Sequence, residues 1–175
     1  MRGMRKGIAA AGSAAFFVAA PGVVTVLVPW GLTGWQVRTL GPYAPLLRTA
    51  GIVVVAAGGA VLVAAFVRFV REGSGTPAPV APTEHLVVGG LYRYVRNPMY
   101  LAVVAVIVGQ ALVLGQPVLL LYALAVLIAT ASFVRWYEEP MLADRYGERY
   151  EAYRRAVPPW RPRLRPWDPA QTRRR

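Results

Sequence analysis

A continuous stretch of 36 residues, Met99–Val134, carries no charged side chain. As a single helix it would be about 54 Å long, well beyond the ~30 Å hydrocarbon core of a bilayer. The tripeptide at Gly115–Pro117 interrupts the stretch near its middle, and both glycine and proline disfavour a continuous helix. We therefore predict two membrane-embedded helices of about 16 residues each that turn back at this tripeptide. Such a hairpin would return Arg135 to the side of the membrane that holds Arg96.

Two further apolar stretches precede the hairpin, at Ile8–Trp30 and Ala50–Val67. The first is long enough to span a bilayer, although its basic start and small residues also fit a cleaved signal sequence. Its length and the spans that follow favour a retained anchor. In the second stretch, Gly51, Gly58 and Gly59 would let another helix approach closely. The sequence therefore predicts an all-α integral membrane protein with about four transmembrane helices.

The charged residues of the chain predict its orientation. The 175 residues include 20 Lys and Arg against 8 Asp and Glu, a formal net charge of +12, while 56% of the residues are hydrophobic. With four spans, 18 of the 20 basic residues fall on one side, which the positive-inside rule identifies as cytoplasmic. We expect both termini and the functional site on the cytoplasmic side of the membrane, and no nucleic-acid partner.

The residue types that are absent exclude several kinds of site. The chain has no cysteine and a single histidine, His85, so neither a thiolate nucleophile nor a metal centre is expected. Serine occurs only at positions 13, 74 and 132, and no Gly-rich motif of Walker or Rossmann spacing is present. Any reaction should then be a direct transfer between bound ligands.

The hydrophilic segments around the hairpin differ in predicted structure. Arg71–Gly90 is rich in Gly, Pro and Thr and is expected to be extended, either as a linker or as a wall over a cytoplasmic pocket. Glu138–Arg155 has the periodicity of one amphipathic helix, which would lie along the membrane surface or pack on the cytoplasmic ends of the other helices. The predicted organisation is two N-terminal transmembrane helices in 1–70, a functional region in 71–160 and a basic disordered tail in 161–175.

The segment before the hairpin combines tyrosines and arginines with an Asn97-Pro98 step. Tyr92 and Tyr100 beside basic residues are also typical of a plain juxtamembrane anchor. Pro98, however, suits the first turn of a helix, and the residue before a proline is driven out of the helical region. The free backbone N–H groups of a helix that starts there could hold a carboxylate or a phosphate.

The segment after the hairpin contains two adjacent carboxylates, Glu138 and Glu139. Arg135 precedes them by three and four residues, the spacing at which side chains on a helix meet. Carboxylates at the end of an apolar helix are costly unless they are solvated or paired. They indicate either a helix-exit cluster in the headgroup layer or a site for a cofactor's ammonium or hydroxyl groups beside an arginine for an anionic substrate.

Taken together, these motifs resemble a known family. The order Gly-x-Tyr-Arg-x-x-Arg-(His or Asn)-Pro-x-Tyr, an apolar helical hairpin, Glu-Glu-x-x-Leu, and then Tyr-Gly-x-x-Tyr-x-x-Tyr-x-x-x-Val-Pro is similar to membrane methyltransferases. Their superfamily includes the isoprenylcysteine carboxyl methyltransferases and the phospholipid N-methyltransferases. The matching pieces run from about Gly75 to Trp160.

The resemblance implies S-adenosylmethionine as methyl donor, bound in a cytoplasmic pocket under the loop and covered by the C-terminal helix. It also implies that Arg135 faces the acceptor as a catalytic residue. Asn97 stands where the prenylcysteine enzymes have His, and their entrance segment begins here with Glu84, which leaves the acceptor open. The implied cofactor-binding residues are Glu84, His85, Leu86 and Val87 at the entrance, Tyr92, Asn97, Pro98, Met99 and Tyr100 at the turn, and Glu138 and Glu139 opposite.

Three functional hypotheses follow from this sequence. The first is an S-adenosylmethionine-dependent methyltransferase that acts on a lipid or another lipophilic, membrane-embedded small molecule. The second is an NADPH-dependent membrane reductase of the sterol reductase type, since those enzymes resemble the same family in the C-terminal half. The third is a non-catalytic helical membrane protein with interfacial Arg and Tyr anchors. None of the three predicts an oligomeric state.

Overall fold

The computed structural model describes residues 19–73 and 86–168, which are largely helical and contain no strand. The prediction of an all-α fold is therefore confirmed for this part of the chain. A π-helical turn at Val23–Leu27 lies within the first helix, another at Val134–Glu138 joins the fourth helix to the fifth, and 3-10 turns occupy Gly41–Tyr43 and Gly90–Arg93. The helices are α1 (Ala19–Thr33), α2 (Ala44–Gly73), α3 (Pro98–Leu114), α4 (Val118–Phe133), α5 (Glu139–Tyr146) and α6 (Glu148–Ala156).

The predicted helical hairpin is present as α3 and α4. Helix α3 ends at Leu114, Gly115 adopts a φ of +67°, and α4 begins directly after Pro117. Two helical stretches of the described residues, Gly41–Arg68 and Val118–Tyr146, are long and apolar enough to cross a membrane, whereas α1 and α3 are shorter apolar helices. By length and composition these helices support membrane association, and the total of four spans stays a prediction.

Close packing of α2 on α3 depends on glycines that face each other. A Cβ atom on Gly51 would lie 2.7 Å from the carbonyl oxygen of Gly109, and one on Gly58 would lie 3.0 Å from a methyl carbon of Val106. A Cβ atom on Gly59 would meet nothing within 4 Å. Gly51 and Gly58 therefore permit the close helix approach that was predicted, and Gly59 does not take part in it.

Helix α1 is joined to the hairpin through polar contacts made by its π turn. The Gln110 amide donates a hydrogen bond to the carbonyl oxygen of Thr25 at 2.7 Å, and the Tyr122 hydroxyl donates one to that of Val24 at 3.0 Å. Polar side chains inside an apolar bundle need such partners, and a π turn changes the direction of its carbonyl groups. The contacts hold α1 against both α3 and α4.

The prediction of one amphipathic helix over Glu138–Arg155 is wrong. Gly147 has φ +52° and ψ −129°, a conformation that side-chain-bearing residues rarely adopt, and it separates α5 from α6. The predicted apolar face is confirmed, because Tyr150 and Tyr153 are buried in one cluster against which Leu142 also packs. The pattern continues across the glycine, while the backbone turns there.

The polypeptide after α6 folds back onto the protein. We name Val157–Asp168 the C-terminal strap. The backbone N–H of Arg163 donates to the carbonyl oxygen of Tyr94 at 2.9 Å, and that of Trp167 donates to the carbonyl oxygen of Arg93 at 3.0 Å. The disorder predicted for 161–175 therefore does not begin at residue 161, and residues 169–175 lie outside the described residues.

Candidate functional site

The two polar segments that flank the hairpin meet at one end of it. Helix α3 starts at Pro98 and runs away from this end, and α4 returns to it and continues into the π turn Val134–Glu138. Tyr100, in the first turn of α3, donates its hydroxyl hydrogen to Oε1 of Glu138 at 2.5 Å. We name residues 97–100 the Asn-Pro turn. Through Tyr100 this turn is in direct contact with the first of the two adjacent glutamates.

The π turn directs the two glutamates to different partners. A π turn adds one residue to a helical repeat and is frequent at functional sites. Neighbouring residues on a helix do not share a face. Glu138 contacts Tyr100 on α3, whereas Glu139 forms an ion pair with Arg96, which precedes α3. The pair of carboxylates consequently contributes to two separate contacts.

Glu139 is the centre of a buried ionic cluster. Glu139 is 8% exposed, and its Oε1 atom lies 2.9 Å from Nη1 of Arg96. Its Oε2 atom lies 3.4 Å from Nη1 of Arg135 and 3.9 Å from Nη1 of Arg154. Nη1 of Arg96 also donates to the hydroxyl oxygen of Tyr150 at 3.0 Å. Because a buried charge is costly unless paired, this cluster ties the start of α3 to α5 and α6.

The Asn-Pro turn is held from outside by the C-terminal strap. The backbone N–H of Arg96 donates to the carbonyl oxygen of Pro158 at 3.0 Å, and the side-chain amide of Asn97 donates to that of Pro159 at 3.2 Å. Asn97 occupies the N-cap position of α3, yet its side chain makes no capping hydrogen bond. The first N–H groups of α3 therefore have no side-chain cap.

Tyr92 is buried against the first turn of α3. It packs with Ala65, Val87 and Met99, and its carbonyl oxygen accepts a hydrogen bond of 2.7 Å from the Tyr153 hydroxyl. Burial raises the pKa of Tyr153, so this hydroxyl stays protonated and remains a donor. The interaction joins α6 to the segment that leads into α3.

The predicted site residues are distributed over this region as follows. Leu86 packs against the α6 cluster and Val87 against α2, and Glu84 and His85 lie outside the described residues. Arg135 has a side chain that is 70% exposed and touches the cluster at its edge. The residues that converge where α3 begins are Tyr92, Asn97, Pro98, Met99, Tyr100, Glu138 and Glu139.

Sequence reasoning did not select several residues that complete this arrangement. Arg96 belongs to the motif that carries the resemblance and Arg154 lies within the predicted amphipathic helix, but neither was selected as a site residue. Trp160, whose ring centroid lies 6.5 Å from that of Tyr100, was not selected. An aromatic residue directly after two prolines was the available signal for Trp160, since prolines favour a defined extended path.

Comparison with known proteins identifies the family of the chain. The family model for phospholipid methyltransferases matches residues 46–149, more than half of the chain. The match covers both the Asn-Pro turn and the adjacent glutamates. No curated protein and no solved structure matches the chain.

Proposed function

The chain belongs to the phospholipid methyltransferase family, and on this premise we propose that it transfers a methyl group from S-adenosylmethionine to a lipid or another lipophilic, membrane-embedded acceptor. Family membership indicates methyl transfer and a lipid-type substrate. The observation that carries the finer proposal is the contact between Tyr100 and Glu138 beside the uncapped start of α3.

The groups at this contact match the chemistry of the proposed cofactor. S-adenosylmethionine presents an ammonium and hydroxyl groups, for which the Glu138 carboxylate is a suitable acceptor. It also presents a carboxylate, which suits the free N–H groups at the first turn of α3. Its sulfonium cation suits the face of an aromatic ring, for which Tyr92 and Tyr100 are candidates. When bound, the cofactor supplies an electrophilic methyl group.

The ionic cluster supports a division of roles between the glutamates. Glu138, whose carboxylate meets only the Tyr100 hydroxyl among the described residues, would bind the cofactor. Glu139 was predicted as a second cofactor residue, but its contacts with Arg96, Arg135 and Arg154 favour a positioning role. Pro98 and Met99 would then shape the site through the α3 backbone and the Tyr92 cluster.

Arg135 is proposed as the residue that faces the acceptor. Its exposed guanidinium is held on one side by Glu139, which leaves donors for an anionic group of the substrate. A carboxylate acceptor would need no base, whereas an amine would first have to lose a proton. In either case most of the rate would come from holding the reacting groups in line.

The orientation of the site is part of the same proposal. Arg96, Arg135 and Arg154 lie at one end of the hairpin, and the positive-inside rule assigns that end to the cytoplasm, where the cofactor is available. Glu84, His85, Leu86 and Val87 would border the cofactor entrance. Packing of Leu86 on α6 and of Val87 on α2 supports this location.

Binding of the cofactor tests the proposal directly. Full-length protein in lipid nanodiscs would be titrated with S-adenosylmethionine by calorimetry, together with Glu138→Ala and with Tyr122→Phe as a control that loses a hydrogen bond on α4. We expect at least about tenfold weaker binding for Glu138→Ala and wild-type binding for the control. Equal binding by Glu138→Ala, or no binding by the wild type, would contradict the proposal.

Transfer to a lipophilic acceptor needs a second measurement. Membranes with and without the protein would be supplied with methyl-labelled S-adenosylmethionine and their organic extracts analysed by mass spectrometry. We expect a labelled lipophilic product that depends on the protein and decreases with Arg135→Ala. Label confined to water-soluble products would argue against a membrane acceptor.

A further inference from the structure

The C-terminal strap lies beyond the residues that the family model matches. The match ends at residue 149, and the strap begins at Val157. Several strap side chains are exposed, and Leu164 is 100% exposed. Val157 and Trp167 pack in the cluster around Tyr153, so burial of apolar side chains holds the two ends of the strap but does not by itself explain the path between them.

Hydrogen bonds to the segment before α3 define the path of the strap. Its backbone N–H groups at Arg163 and Trp167 donate to the carbonyl oxygens of Tyr94 and Arg93, and the Arg93 side chain donates to the carbonyl oxygen of Trp167 at 2.5 Å. The ring of Trp167 also lies against Tyr153, with centroids 5.4 Å apart. The far end of the strap is thus attached at several points.

The near end of the strap controls the side chain of Asn97. Asparagine is among the preferred N-cap residues because its side-chain oxygen accepts a hydrogen bond from the second or third N–H of the helix. Here its amide donates to the carbonyl oxygen of Pro159 instead, and no capping bond forms. The fixed φ angles of Pro158 and Pro159, and the restriction that Pro159 places on Pro158, narrow the conformations open to the strap where it contacts Arg96 and Asn97.

We propose that the C-terminal strap is a positioning element that keeps the start of α3 uncapped and thereby prepares it for the anionic end of the cofactor. Pro159 holds the Asn97 side chain away from the helix end, and Pro158 fixes the backbone at Arg96. Without the strap, Asn97 would cap α3 and compete with the ligand for the same N–H groups. This inference rests on the proposed function.

A substitution that removes one backbone donor tests the strap in the full-length protein. Arg163→Pro loses the N–H that binds Tyr94, while Arg163→Ala keeps that N–H and serves as the matched control. Both variants lose the guanidinium, which donates to the carbonyl oxygen of Ala156. Trp167→Ala and Trp167→Phe form a second pair, in which Phe retains a ring to pack against Tyr153.

Calorimetric titration with S-adenosylmethionine and methyl-transfer kinetics would be measured for all four variants. We expect Arg163→Pro and Trp167→Ala to raise the Kd and KM for the cofactor about tenfold, with kcat changed less than about twofold. Arg163→Ala and Trp167→Phe should bind within about twofold of the wild type. If Arg163→Pro does not fold, the Trp167 pair decides the result.

Three outcomes distinguish failure of this inference from failure of the proposed function. If the wild type binds the cofactor, Glu138→Ala binds it weakly and both strap pairs bind like the wild type, the strap is not a positioning element. A lower melting temperature with unchanged cofactor affinity would likewise limit the strap to stability and overturn the inference. If the wild type does not bind the cofactor, the proposed function fails and the inference fails with it.

Discussion

The hydroxyl of Tyr100 donates a hydrogen bond to the carboxylate of Glu138, although 38 residues separate them along the chain. The contact exists because α3 and α4 form a hairpin whose open end carries both residues. It gives the carboxylate a defined direction beside the start of α3.

Tyr100→Phe should weaken binding of S-adenosylmethionine about threefold to tenfold, because the variant keeps the ring but loses the hydrogen bond that orients Glu138. Calorimetric titration of the full-length protein measures the change. Tyr122→Phe also loses a hydroxyl hydrogen bond, to the carbonyl oxygen of Val24, and should bind like the wild type. Equal affinity in the two variants would show that the Tyr100 hydroxyl does not contribute to the cofactor site.

Glu139→Ala should lower the free energy of unfolding by about 3–5 kcal/mol, because it leaves the buried guanidinium of Arg96 without its carboxylate. Both side chains of this pair are only 10% exposed. Arg135→Ala should change the free energy of unfolding by less than about 1 kcal/mol, since the Arg135 side chain is 70% exposed. Denaturant unfolding in a mild detergent compares the two. A loss of similar size in both would be inconsistent with a buried Arg96–Glu139 pair.

Gly51→Ala should destabilise the protein by about 1–3 kcal/mol, because the added methyl group would overlap the backbone of α3 at Gly109. Gly59→Ala has open space around the new methyl group and should be neutral or stabilise by up to about 1 kcal/mol through its higher helix propensity. Thermal unfolding of the two variants tests the contrast. If both are tolerated equally, α2 and α3 are not in close contact at Gly51.

The stability of the protein should fall at alkaline pH. Burial raises the pKa of Tyr153 above its ordinary value of about 10, so the folded state holds this proton more tightly than the unfolded state does. Its contribution is complete below about pH 10 and is lost as the pH rises further, by up to about 1.4 kcal/mol per pH unit. Melting temperatures between about pH 8 and 11 should decline less steeply in Tyr153→Phe than in the wild type. Parallel declines would exclude this tyrosine as the source.

The helical hairpin and the meeting of its two flanking polar segments were predictable because local signals determine them. An uncharged stretch longer than a bilayer must turn, and Gly115 with Pro117 supplies the turn. The Asn97-Pro98 step marks the start of a helix for steric reasons that act within two residues. The sequence analysis missed the break between two helices at Gly147. Hydrophobic periodicity continues across this glycine and does not indicate the direction of the backbone.

Residue order and composition were sufficient to place both glutamates near the Asn-Pro turn, since a hairpin of two similar helices returns the chain to its starting side. They were not sufficient to assign Glu138 to Tyr100 and Glu139 to Arg96. That assignment depends on the π turn at Val134–Glu138, which sets the rotation of each side chain about the helix axis. The strap contacts with Arg96 and Asn97 join residues some 60 positions apart through backbone carbonyls. Every residue offers a backbone carbonyl and every residue except proline offers a backbone N–H, so packing of the folded chain selects the partners.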